Sequence, residues 1–152
     1  MSLAKPRGLL TRGFDLVTDD MLLATMEGSL WREGGSVRVG SDTWELRRQG
    51  WSSFRLVCDN VDEALARPKG FFRTDFEISH AGRTYRLARQ SVWRRAYTVL
   101  HDDVEVGSIE PTSVWTNAAA VRLPDTMPLH LQVFIVGVVA VQWRRAQESA
   151  GA

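Results

Sequence analysis

Apolar and polar positions along this chain recur as one hairpin pattern that is repeated three times. Each copy has an aromatic residue, a second apolar residue on the same face, an acidic turn and an arm of small residues. The first arms are Phe14-Asp15-Leu16-Val17, Phe54-Arg55-Leu56-Val57 and Tyr97-Thr98-Val99-Leu100, and the turns are Asp19-Asp20, Asp59-Asn60 and Asp102-Asp103. Alternation with a period of two is typical of a strand with one buried face, and Asp and Asn favour tight turns. Each copy therefore predicts an antiparallel hairpin whose leading aromatic ring points inward.

A second kind of hairpin precedes two of the copies. Its arms are 36–39 and 43–46 around Gly40-Ser41-Asp42, and 75–78 and 84–87 around His80-Ala81-Gly82-Arg83. One or two further strands are predicted around 114–115 and 119–121, which gives eleven or twelve antiparallel strands in total. Such a sheet must close or stack to protect its edges. The stretch 62–67 is a poor strand former, so we expect local irregularity there.

The C-terminal segment changes from strand patterning to a continuous apolar run. Pro124 to Pro128 is a helix start signal, and the nine residues from Val133 to Val141 are apolar. A helix that is apolar on every side is either buried in protein or spans a membrane. A span needs about 20 apolar residues, whereas Leu129 to Trp143 is shorter and contains His130, Gln132 and Gln142. A central strand is the other alternative, but the length and the proline start favour a buried helix over about 128–145.

The predicted fold is mainly β with one helix: a closed antiparallel barrel of about twelve strands around a buried C-terminal hydrophobic helix. We expect residues 1–13 to be an N-terminal extension, 14–147 to be the single barrel domain and 148–152 to be a tail. We expect no transmembrane span.

This arrangement resembles the tubby C-terminal-like superfamily, which includes the phospholipid scramblases and the LURP-one-related proteins. The segments that carry the resemblance are 85–89, 97–103, Gly107-Ser108-Ile109-Glu110-Pro111 and the helix 129–143. The shorter, LURP-one-like branch fits best, because we expect no long N-terminal region, cysteine-rich stretch or other appended domain. The resemblance implies a non-enzymatic role, since tubby domains bind phosphoinositide head groups through basic side chains and scramblases act at membranes. No binding residue of the family matches a particular position in this chain.

Composition narrows the classes of partner. The chain has 19 Lys and Arg against 18 Asp and Glu, so bulk charge alone predicts no strong attraction to nucleic acid or to acidic lipid. Apart from Lys5 and Lys69, these basic residues are all arginines. This bias arises either from genomic base composition or from selection for arginine, which suits bidentate recognition of anions. Cys58 is the single cysteine, which excludes an internal disulfide and a multi-cysteine zinc site. We expect a cytoplasmic protein without a cofactor, peripheral at the membrane if it binds lipid.

The candidate ligand-binding residues lie in an acid-free basic stretch between residues 81 and 100. Strand alternation turns Arg83 and Arg89 inward and Arg86 outward, while Arg94 and Arg95 fall in the following link. The predicted anionic patch is Arg86, Arg94, Arg95 and Trp93, with the tryptophan as a stacking face. The alternative is a solvated face on which these arginines pair with acids of neighbouring strands, such as Glu45 or Glu77.

Other groups with potential chemistry have structural explanations. The acidic turns match no calcium loop and fit hairpin geometry. His80 and His101 fall at predicted turns, His130 falls in the first turn of the helix, and no nucleophile and base show a recognisable spacing. We therefore expect a non-enzymatic binding or scaffold module that binds anionic phospholipid head groups. The alternatives are a protein-interaction module without a small ligand and an uncharacterised enzyme.

Overall fold

Within the residues that the structure describes, the chain forms a closed barrel of twelve antiparallel strands with one helix. The computed structural model describes residues 2–6, 13–19, 21–29, 34–50, 53–69, 75–90, 95–112 and 118–150. The strands are β1 Ser2–Pro6, β2 Phe14–Thr18, β3 Met21–Ser29, β4 Gly34–Val39, β5 Asp42–Gln49, β6 Ser53–Cys58, β7 Val61–Lys69, β8 Asp75–His80, β9 Arg83–Arg89, β10 Tyr97–His101, β11 Val104–Pro111 and β12 Ala119–Arg122, and the helix is α1 Leu129–Ala150. Each strand pairs with the next along the chain, and β12 pairs with β1. The predicted fold class is confirmed.

The three predicted hairpin copies superimpose in register. Phe14, Phe54 and Tyr97 lie opposite Met26, Ala66 and Ile109 in the hairpins β2–β3, β6–β7 and β10–β11. A β-bulge follows two residues later in all three hairpins. The three aromatic side chains are buried in the core, which confirms their inward orientation.

The acidic turns are explained by backbone geometry. Asp59 and Asn60 have φ angles of 50° and 62°, and Asp102 and Asp103 have 50° and 63°. Positive φ at both central residues defines the type I′ turn, whose twist matches that of the flanking strands. Asp and Asn tolerate this left-handed conformation better than other residues with a side chain.

The barrel is closed by a strand that the sequence analysis assigned to an extension. β1 pairs with β12 through Ala4 opposite Ala119, and with β2 through Pro6 opposite Phe14. Residues 2–6 were expected to lie in an N-terminal extension, whereas β1 is part of the barrel wall. The pair β12–β1 occupies the place that the hairpins β4–β5 and β8–β9 occupy in the other copies. The expected tail also begins too early, since α1 continues to Ala150.

Helix α1 fills the barrel. All of residues 133–139 are buried, and Phe134, Ile135 and Val138 are completely inaccessible to solvent. Small residues on the wall, Ala24 and Ala64, occupy matching core positions and leave room for the helix. Burial of each large apolar side chain contributes about 1.5–3 kcal/mol. The predicted buried helix is confirmed, and among the described residues no helix has the length and apolarity needed to cross a membrane.

Replacing Val138 by Asp tests the central role of the helix. Val138 is inaccessible to solvent, so an unpaired carboxylate there costs several kcal/mol or more and should prevent folding. Circular dichroism and thermal unfolding measure the effect. The control is Ala146→Asp at an exposed position of the same helix, which should change stability by about 0.5 kcal/mol or less. A folded Val138→Asp protein would contradict the assignment.

Replacing Asp103 tests the turn geometry. Asp103→Gly removes the cost of a positive φ and should leave the free energy of unfolding unchanged or raise it by up to about 1 kcal/mol. Asp103→Val places a β-branched residue at the same φ and should lower it by about 1–2 kcal/mol. Denaturant unfolding distinguishes the two variants. Equal destabilisation by both would show that the carboxylate, and not the backbone, matters there.

Candidate functional site

Polar side chains that face inward are found at the two ends of the barrel, because α1 fills the space between them. The antiparallel order places the turns of the β4–β5, β6–β7 and β8–β9 hairpins at the same end as the start of α1. We call this the turn end. The opposite end, where α1 finishes, is called the basic end because four arginines described below lie there.

A cluster of three potential ligands lies at the turn end. Glu63 of β7, His80 of β8 and His130 of α1 bring one carboxylate oxygen and two imidazole nitrogens within 4.8 Å of one another. All three residues are half-buried. We call this set the rim cluster. Among the described residues, it is the one group of three His, Cys, Asp or Glu side chains whose potential ligand atoms lie this close together.

Each member of the rim cluster is positioned by a different feature of the fold. Glu63 is the extra residue of the β-bulge in the β6–β7 hairpin, where Leu56 faces Ala64 and Val57 faces Asp62. His80 ends β8 with the inward parity of Phe76 and Ile78. His130 lies in the first turn of α1. The bulge redirects the Glu63 side chain, which regular alternation would point away from the core.

Trp44 of β5 completes the surroundings. Its ring stacks on that of His130, with centroids 4.3 Å apart and an interplanar angle of 13°. Its indole Nε1 donates a hydrogen bond of 3.0 Å to Glu63 Oε2. The same carboxylate oxygen lies 3.3 Å from His130 Nε2, and the His80 ring centroid lies 5.5 Å from that of His130. Trp44 therefore fixes both the imidazole and the carboxylate.

Both imidazoles favour the neutral state. Burial lowers the pKa of His130, an effect that the Glu63 carboxylate opposes and His80 reinforces. Burial also lowers the pKa of His80, again opposed by Glu63 and reinforced by Arg83. Neutral imidazole carries the lone pair that binds a metal ion. His130 Nε2 is buried and makes no hydrogen bond to any residue that the structure describes.

The repeat shows that the fold does not require polar residues at these positions. The shared bulge makes Leu23 and Val106 the counterparts of Glu63 in the other two copies. These two side chains are partly buried and pack against the core.

The same comparison applies to His80. Three cross-strand pairs occupy equivalent places in the copies: Ile78 opposite Ala66, Val37 opposite Met26 and Val121 opposite Ile109. Ile78, Val37 and Val121 are therefore equivalent positions. Two residues further along the chain, the counterparts of His80 are Val39 and Leu123, which also pack against the core. From the sequence, His80 was expected at a turn and His130 at the start of the helix, and Glu63 was not identified as a candidate.

The predicted arginine patch is divided between different surroundings. Arg86 is exposed on the outer wall, as its parity predicted, and its Nη2 lies 3.0 Å from Asp75 Oδ2 on β8. Glu77, one of the acids expected to pair with an arginine, pairs with Lys69 instead. Arg95 is half-buried with its guanidinium 5.1 Å from the centroid of the Trp143 ring. Trp93 and Arg94 lie outside the described residues.

Four arginines meet the core at the basic end. Arg48 and Arg89 occupy equivalent inward positions of β5 and β9, opposite Phe54 and Tyr97. The Arg145 guanidinium of α1 lies 5.9 Å from the centroid of the Phe54 ring. Burial lowers the pKa of Arg145, and the like charge of Arg48 lowers it further. The Arg95 Nη2 is buried without a hydrogen-bond partner among the described residues.

No family model, curated protein or solved structure matches this chain. Function is therefore inferred from the chemistry of the two ends and from the departures from the repeat.

Tyr97 provides a test of burial at the basic end. Burial is the main cause that raises its pKa to about 12, so the folded protein keeps a proton that the unfolded chain releases near pH 10. The free energy of unfolding should therefore fall as pH rises from about 10 to about 12. Absorbance at about 295 nm reports phenolate formation, and denaturant unfolding reports stability. Tyr97→Phe should reduce the decline. Release of the Tyr97 proton near pH 10 in the folded protein would contradict the assignment.

Proposed function

We propose that this chain is a non-enzymatic binding module of the tubby and LURP-one-like class that binds a phosphate-bearing lipid head group at its basic end. The observation that carries the proposal is the position of Arg145. Its guanidinium is half-buried beside the like-charged Arg48, so that burial and repulsion both disfavour its charged form. An anion bound between the two guanidinium groups would favour the charged form of both.

The helix dipole does not explain this position. Cations stabilise a helix in its last turn, where the partial negative charge is found. Helix α1 continues to Ala150, and its last turn contains no basic residue. Arg145 lies before that turn and against the barrel wall, beside the Phe54 ring.

The type of side chain favours an oxyanion. A guanidinium group presents a planar pair of donors that matches phosphate or carboxylate, and such charge-assisted bonds are about twice as strong as neutral ones. Arg95 contributes a buried Nη2 without a hydrogen-bond partner among the described residues. Arg48 and Arg89 occupy matching positions of two repeat copies, which places one inward cation on β5 and another on β9 at the same end of the barrel.

The resemblance noted above supports a lipid head group as the source of the anion. A barrel wound around an apolar helix offers binding surfaces at its ends and outer wall, and tubby domains hold phosphoinositides through basic side chains. This proposal replaces the outward patch centred on Arg86, whose guanidinium already pairs with Asp75.

Vesicle co-sedimentation tests the proposal. Neutral phosphatidylcholine vesicles are compared with vesicles that also contain phosphatidylserine or a phosphoinositide. The wild type should bind the anionic vesicles more tightly, and Arg48→Gln/Arg145→Gln should lose about tenfold or more, since two charge-assisted contacts are removed. Arg86→Gln is the matched control, an exposed arginine of the outer wall, and should stay within about twofold of the wild type.

Two outcomes would overturn the lipid proposal: equal sedimentation with neutral and anionic vesicles, or unchanged binding by the double variant. Calorimetric titration with soluble inositol phosphate and with inorganic phosphate identifies the source of the anion. Binding of the soluble ligands without any binding of vesicles would assign the basic end to a free phosphate compound.

A further inference from the structure

We propose that Glu63, His80 and His130 form a binding site for one divalent transition-metal ion of the zinc class. The site lies at the turn end of the barrel and is separate from the basic end. It joins two neighbouring strands of the wall to the first turn of α1, residues that lie far apart in the sequence. Four observations carry the proposal: the ligand spacing, the orientation of His130, the supporting tryptophan and the departure from the repeat.

The spacing suits a single ion. Zinc binds imidazole nitrogen and carboxylate oxygen at about 2.0–2.2 Å, so tetrahedral ligand atoms lie roughly 3.3–3.5 Å apart. The distance between His130 Nε2 and Glu63 Oε2 is 3.3 Å. The three ligand atoms lie within 4.8 Å of one another, so a side-chain adjustment of about 1.5 Å at most brings the widest pair to coordination distance.

The orientation of His130 distinguishes a metal site from a simple ion pair. Its Nε2 is close to Glu63 Oε2 but does not meet hydrogen-bond geometry with it or with another described atom. Two atoms that approach without pointing at each other can both point at a third atom between them. A simple pair of Glu63 with His130 also leaves unexplained the third group, His80, whose ring centroid lies 5.5 Å from that of His130.

Trp44 acts as an outer support for the site. Ligands of metal sites are commonly fixed by hydrogen bonds and packing from a surrounding layer of residues. Trp44 donates its indole hydrogen to Glu63 Oε2 and covers one face of the His130 ring. The carboxylate keeps its second oxygen and its remaining lone pairs for an ion.

The departure from the repeat shows that the ligands are not fold requirements. Leu23 and Val106 occupy the position of Glu63, and Val39 and Leu123 occupy the position of His80. All four pack against the core, so an apolar side chain meets the structural need at both positions. Only one of the three copies carries the ligands, and only there does a histidine of α1 join them.

The donor set defines the class of ion. Two imidazoles and one carboxylate suit Zn²⁺, Co²⁺, Ni²⁺ or Fe²⁺, whereas Ca²⁺ and Mg²⁺ prefer oxygen ligands alone. Three protein ligands leave at least one coordination position for water or an outside ligand. The carboxylate supplies the negative charge that a cation needs beside the positive end of α1.

The experiment uses the full untagged chain after treatment with a chelator and dialysis. Calorimetric titration with Zn²⁺ should give one ion per chain with micromolar or tighter affinity. Co²⁺ should produce visible absorption bands with the same stoichiometry. Saturating Zn²⁺ should raise the melting temperature, because the ion binds the folded chain.

The variants use residues that the repeat already places at these positions. Glu63→Val introduces the residue found at the equivalent position, Val106, and His80→Val introduces the residue found at Val39. Both variants should therefore fold, while their affinity for Zn²⁺ should fall about 100-fold or more. The matched control is His101→Ala, the third histidine of the chain, whose ring is tilted against that of Tyr85 and which is not a member of the rim cluster; it should leave the affinity unchanged. If Glu63→Val fails to fold, Glu63→Gln preserves its shape and takes its place.

Three results would overturn the site. These are no stoichiometric binding of Zn²⁺ or Co²⁺ by the wild type, unchanged affinity in Glu63→Val and His80→Val, or an equal loss in His101→Ala. Because the vesicle assay probes arginines at the other end, failure of either proposal leaves the other unaffected.

Discussion

The packing of α1 against the barrel wall is the interaction on which the rest of the structure depends. About eight strands enclose a space that wall side chains can fill, and a twelve-stranded barrel is wider. The helix supplies the missing core, which is why residues 133–139 are buried on every side of α1. Small wall residues such as Ala24 and Ala64 follow from the same need. Inward polar groups are consequently found where the helix begins and where it ends.

Local patterning was sufficient to predict most of the fold. The hairpins were predicted because apolar alternation and turn residues are both visible within about ten residues of sequence. Helix α1 was predicted because its central residues are apolar on every side. β1 was missed because its segment is short and one of its two partners, β12, lies far away in sequence, with Ala4 opposite Ala119. The stretch 62–67 was expected to be irregular, and β7 continues through it with a bulge at Glu63.

The rim cluster could not be predicted from spacing, because its members come from three elements and meet only when the barrel closes. His80 and His130 each had a sufficient local explanation, and Glu63 reaches the core side only because of the bulge. The useful signal was present in the repeat. Aligning the three copies and asking where a charged or polar residue replaces Leu23, Val39 or Val106 identifies both wall ligands. His130 has no such counterpart, because the chain contains one helix among its described residues.

The two ends of the barrel differ in chemistry and are separated by the length of α1. The rise along α1 from His130 to Arg145 is about 22 Å, more than twice the screening length of about 8 Å at physiological ionic strength. Charges at one end therefore have little direct electrostatic effect on the other. Coupling between the ends would have to pass through movement of α1, to which both His130 and Arg145 belong. A helix packed on all sides resists such movement, so we expect the two ends to bind their ligands independently.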